Sequence, residues 1–267
     1  MTQISIIHIL DTLLPSVESL EFQAPAGSQF YGGGIGMPAQ CVFKRASEPS
    51  LSGVEGLNIV SPEQQLEDNQ ALALHYSHLR QAAVDENVEA LIDLAWIWLN
   101  GRGVPADHQL AWRLNKLAAA QGRGEALFNL GEQCACGKGV KTDLCEAADY
   151  YEQAYNKGIH RAATALGGIH EQFSNLNMAY IWYLRGATSG DLQAACGVGR
   201  VSLNDAMRHH DVASGLYWLQ HAALMGHKEA TRLLITFLES PHNFPDMDGR
   251  LHRFWCEHLL RLEGRLF

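Results

Sequence analysis

Apolar and small residues return at helical spacing along most of the chain, with polar residues between them. Ala90, Leu94, Ala95 and Trp98 share one face, and Ala126, Leu130, Gly131 and Cys134 repeat it, so each stretch predicts a helix. The small residue after each leucine lets a neighbouring helix come close. Both stretches stop at paired glycines, Gly101-Arg102-Gly103-Val104 and Gly137-Lys138-Gly139-Val140, which suit a tight helix exit. A second helix follows each time. It opens on Asp107, Asp143, Asn175 or Asp211 and closes on Gly122, Gly158, Gly190 or Gly226. A short polar side chain at the opening accepts hydrogen bonds from unpaired N–H groups, worth about 1 kcal/mol per helix. Asp143 with Glu146 makes a capping-box-like pair.

The spacing sets the class. The four openings and the four closing glycines are each 36, 32 and 36 residues apart, and Ala90, Ala126, Ala162, Ala194 and Ala230 keep the same register. Self-similarity at this period predicts tandem helix–turn–helix units stacked as an all-α solenoid, a fold that presents a surface to a partner. Units fall near 89–124, 125–160, 161–192 and 193–228, with a partial unit at 229–264, inside a repeat region of 63–267. The third unit has lost four residues at its turn, and the fourth replaces the glycine turn with Leu203-Asn204-Asp205. Ala71 to Val84 reads as a second helix alone, with Glu86 where its closing glycine would stand. Glu229 to Leu238 reads as a first helix and Arg250 to Leu262 as its partner, across a loop from Ser240 to Asp248. Residues 1–62 do not repeat. Their apolar runs, Ile4 to Leu10 and Cys41-Val42-Phe43, fit short strands or a packed irregular cap equally well, on either side of a Gly-rich turn at Gly32 to Gly36. The segment is expected to lie against the first unit.

These residues resemble the Sel-one-like repeat (SLR) family, relatives of the tetratricopeptide repeats, whose pattern is roughly A-x3-LG-x2-Y-x2-G-x-GV-x2-D followed by A-x2-WY-x2-AA-x2-G. Ala126 to Gly158 carries it most fully, through Leu130-Gly131, Gly137, Gly139-Val140, Asp143, Ala147, Tyr150-Tyr151 and Ala154. The resemblance spans about residues 70 to 264. It implies a right-handed α/α superhelix with first helices on the concave face, and a non-catalytic adaptor or scaffold role. The alternative is an immunity protein that binds and neutralises a toxic effector.

In a tetratricopeptide-like frame the solvent-facing first-helix positions lie one before the alanine and two, six and nine after it. The face so defined is apolar early, at Ile92, Trp96, Leu99 and Phe128, and charged later, at Glu132, Glu171, Arg200 and Arg232. Trp96 and Phe128 are the natural anchors for a bound chain, since aromatics dominate interface energy. The competing expectation is that the N-terminal segment already fills that groove, and that Arg200 and Arg232 are simply solvated.

Net charge of −9 argues against nucleic acid and favours a basic protein partner. Met1 to Leu20 lacks the basic start of a secretory signal, and no stretch approaches the roughly 20 apolar residues of a membrane span, so a cytoplasmic protein is expected. Cys134, Cys136 and Cys145 have no fourth ligand at credible spacing, and His75 with His78 lack an acidic third, so no metal site is expected. His209-His210 reads as ordinary loop. Gly32 to Gly36 lacks the Lys-Ser/Thr ending of a phosphate loop. No catalytic residues, cofactor or small-molecule substrate are assigned.

Overall fold

The computed structural model describes residues 10, 12–23, 62–204, 212–239 and 249–265. Among them are a 3-10 turn at Val17–Ser19, eleven α-helices and no strand. The helices are α1 (Pro62–Val84), α2 (Val88–Asn100), α3 (His108–Ala120), α4 (Gly124–Cys136), α5 (Leu144–Asn156), α6 (Ala162–Gln172), α7 (Leu176–Thr188), α8 (Leu192–Ser202), α9 (Val212–Leu224), α10 (Lys228–Glu239) and α11 (Arg250–Leu262). First and second helices therefore alternate from α2 onward, as the repeat spacing predicts. Residues 1–9, the Gly32–Gly36 turn, Cys41–Phe43, His209-His210, Asp211 and the 240–248 loop lie outside the described residues.

The three expected caps that lie on described residues are made. The Asp107 carboxylate accepts from Leu110 N–H at 2.9 Å, Asp143 from Cys145 and Glu146, and the Asn175 side chain from Met178. The Asp143 N–H, which a full capping box would give to Glu146, goes to the Cys134 carbonyl instead. Gly122, Gly158, Gly190 and Gly226 close their helices at φ of +83° to +92°, a conformation that costs side-chain-bearing residues strain. Glu86 adopts it as well, at +64°.

The chain divides into two compact units, residues 1–147 and 148–267, with the division inside α5. In the first unit each helix packs on the next, from α1 to α4. Gly139 shows how the register is kept: a Cβ there would lie 2.2 Å from the His108 carbonyl oxygen, so the second turn rests directly on the start of α3. Gly103 rests instead on the side chain of Leu72 of α1, 36 residues before His108. The core joins Leu10 and Leu14 to Tyr76, Leu91, Leu94, Trp98, Leu110 and Leu114. One buried pair is polar. Asn115 and Gln133 are 1% and 0% exposed, and the Asn115 amide donates to Gln133 Oε1 at 2.8 Å. Gln133 Nε2 in turn donates to the carbonyls of His108 and Lys138.

In the second unit α6 to α11 pack in sequence, and the first helices α6, α8 and α10 also touch one another. Tyr183 on α7 is wedged between first helices. A Cβ on Gly167 of α6 would lie 2.5 Å from its ring, and one on Gly197 of α8 would lie 2.7 Å from it. The small residues noted in the sequence thus admit a tyrosine between backbones.

Candidate protein-binding surface

The apolar part of the first-helix face lies in the first unit. Ile92, Trp96 and Leu99 follow one another at turns of α2 and are half-buried. They pack against the same buried cluster as Leu13, Val17, Leu20 and Phe22 of the N-terminal segment. Arg102 sits over the Trp96 ring, 5.5 Å from its centroid. Phe128 on α4 is half-buried and Glu132, one turn further, is exposed. Glu89, at the start of α2, forms an ion pair with Arg123 at the start of α4.

The charged part lies in the second unit, and its residues hold one another. The Arg200 guanidinium grips Glu171 with two parallel hydrogen bonds of 2.9 Å, the fork geometry that makes Arg–carboxylate pairs strong. It also reaches Glu229 at 3.1 Å, so one side chain on α8 links α6 and α10. Tyr183 donates its hydroxyl to Glu171 at 2.8 Å and accepts from Arg200 at 3.3 Å. Burial alone would raise the Glu171 carboxyl, but the hydrogen bonds from Arg200 and Tyr183 outweigh it and hold it below the usual range. Burial, then the Glu171 bond, pushes the Tyr183 phenol up. Arg232 pairs with Glu263 at 2.7 Å. Arg200 is held by two carboxylates of the same chain, whereas Arg232 is 58% exposed and keeps most of its guanidinium in solvent beside its one pair with Glu263. Sequence reasoning placed Arg200, Glu171 and Glu229 on the same first-helix face without pairing them, and gave Tyr183 no part in it.

Chemistry is sparse. Among the described residues no three His, Cys, Asp or Glu side chains are grouped as a metal would require, and no helix is long and apolar enough to cross a membrane. Cys134 and Cys196 are buried, and burial pushes their thiols up to about 11 and about 12, away from nucleophilic use. His75 is half-buried; burial, then the charge of His78, holds its imidazole below the ordinary value.

The Sel1 repeat family model matches residues 88–122, 124–159, 161–191 and 193–227, together just over half of the chain. The chain belongs to the Sel1 repeat family. A crystal structure of a Sel1 repeat protein from Oxalobacter formigenes superposes with a TM-score of 0.61 at 24% identity, covering 74% of this chain and 82% of that one. A protective antigen of uropathogenic Escherichia coli displaying an SLR fold gives the same TM-score at 20% identity, covering 76% of this chain and 47% of that one. Both likenesses speak for the fold. An uncharacterized protein of Neisseria meningitidis serogroup B is 36% identical over 86 residues, which span 32% of this chain and 18% of that protein's length. Sel1 repeats are protein-interaction repeats.

Proposed function

We propose that this Sel1 repeat protein is a non-catalytic adaptor or scaffold that binds its protein partner through the first-helix face. The observation that carries this reading is the α2 stripe of Ile92, Trp96 and Leu99, with Phe128 on α4: large apolar side chains left half-buried where polar ones would serve an inert surface. Glu132 would border that surface, while Glu171, Arg200 and Arg232, being tied internally, would stiffen the later first helices. The net charge of −9 favours a partner with a basic face. The five cysteines described are free thiols, which suits a cytoplasmic location.

The test is affinity capture with mass spectrometry, followed by calorimetry with the purified partner. Trp96→Ala is expected to weaken binding at least tenfold with the helical circular dichroism intact. Arg113→Ala, on the exposed side of α3, should leave it unchanged. Equal affinities would refute the assignment of the face. A partner that proves toxic alone and harmless in the complex would identify the immunity role instead.

A further inference from the structure

The first helices open in different ways. Asn87 at the start of α2 accepts from the Glu89 N–H, and Asp191 at the start of α8 accepts from those of Gln193 and Ala194. Arg123 before α4 and Arg161 before α6 make no side-chain cap. Before α10 the place of Asp191, 36 residues on, is taken by His227. Its carbonyl accepts from the Thr231 N–H, and its ring Nδ1 lies 3.2 Å from the Ala230 nitrogen, accepting that N–H. Ala230 is the third residue of α10, so its N–H has no carbonyl within the helix to reach. An N–H aimed at Nδ1 requires a bare nitrogen there. The neutral ring therefore carries its proton on Nε2, which donates to Gln193 Oε1 of α8 at 2.8 Å.

We propose that His227 is a pH-operated cap, closing the first turn of α10 as the neutral imidazole and opening it as the imidazolium. Amide and carboxylate caps keep their acceptors between about pH 5 and 8, the range in which imidazole changes its charge. Once protonated, Nδ1 is a donor and can no longer accept from Ala230. The positive ring then stands at a helix N-terminus, whose dipole repels it, and beside Lys228. Among the described residues no carboxylate is placed to hold it. Asp191 of α8 is bonded to its own helix start and to Thr164, Glu229 of α10 pairs with Arg200 of α8, and Glu263 after α11 pairs with Arg232 and Arg265. The neighbouring imidazoles are engaged elsewhere: His221 of α9 meets the Trp218 ring, and His258 of α11 donates to the Ala223 carbonyl. The turn that opens carries Glu229, so its link to Arg200 loosens with the cap. Any effect on partner binding rests on the first-helix reading above; the loss of the cap does not.

Hydrogen exchange at the Ala230 amide of the full chain, read by NMR together with the ring nitrogens of His227, tests this. Between about pH 7.5 and 5 the protection of Ala230, corrected for the intrinsic pH dependence of exchange, should fall about fivefold, in step with proton uptake at Nδ1. His227→Asn supplies an amide oxygen that accepts throughout that range, and should hold the protection constant. His227→Ala should show the lowered protection at both ends of the range. A ring that takes up its proton while Ala230 stays protected, a ring that stays neutral across the range, a proton on Nδ1 of the neutral ring, or an equal fall in His227→Asn would each overturn the proposal. The first three are read on the unaltered chain, so they depend neither on the folding of a variant nor on which surface a partner uses.

Discussion

Two adjacent glycines of α6 should respond to the same substitution with opposite signs. Alanine in place of a helical glycine gains about 0.8–1 kcal/mol of helix propensity. At Gly168 little opposes that gain, since an added methyl would meet only the Tyr183 hydroxyl oxygen at 3.7 Å. Gly168→Ala should therefore stabilise the protein by up to about 1 kcal/mol. At Gly167 the methyl would lie 2.5 Å from two ring carbons of Tyr183. The ring cannot retreat, because Gly197 closes its other side and its hydroxyl is bonded to Glu171 and Arg200. Overpacking of this kind costs about 1–3 kcal/mol, so after the propensity gain Gly167→Ala should destabilise by up to about 2 kcal/mol. Urea unfolding followed by circular dichroism reads both changes as shifts in midpoint at constant slope. Stabilisation by Gly167→Ala, or the same sign at both positions, would show that Tyr183 is not clamped between the first helices.

Three further outcomes follow from buried or tied groups. Gln133→Leu should cost about 1–2 kcal/mol in the same assay, because it strands the buried Asn115 amide, and a buried unpaired group costs about 1–3 kcal/mol before the added apolar burial offsets part of it; the carbonyls of His108 and Lys138, on residues that are not buried, lose one donor each. The Glu171 carboxyl is held below its ordinary value of 4.5, so its contribution is present above that pH and is lost as pH falls through the folded value. Arg200→Met should remove that portion of the acid loss along with about 1–2 kcal/mol at neutral pH, a modest figure because both partners are partly solvated. His75 is also held below its ordinary value, 6.5, so the stability associated with its neutral form is present above pH 6.5 and fades as pH drops toward the folded value. Melting temperatures between pH 7.5 and 5 should fall less steeply in His75→Gln than in the unaltered chain.

Much of the fold was legible because it is written several times over. Each cap and closing glycine appears in register, and a pattern read in one unit corrects the reading of the next. What escaped was the departure from the repeat. Gln133 stands where other units have Ile97, Ile169 and Val201, and Asn115 where they have Tyr151, Tyr183 and Leu219. Comparing these columns would have flagged two polar residues in apolar slots, and their coincidence suggests a bonded pair. The internal ties of Arg200 were harder to see, since its partners are 29 residues away on either side, on α6 and α10. Residues 10–23 carry no repeat register, so only packing places Leu10 and Leu14 against α1.

The measurement that bears most directly on the account is a hydrogen–deuterium exchange footprint of the chain with its captured partner. Protection is expected in the first helices, above all in α2 and α4 around Trp96 and Phe128, with α3, α7 and α9 unchanged. Protection confined to the second helices would contradict it.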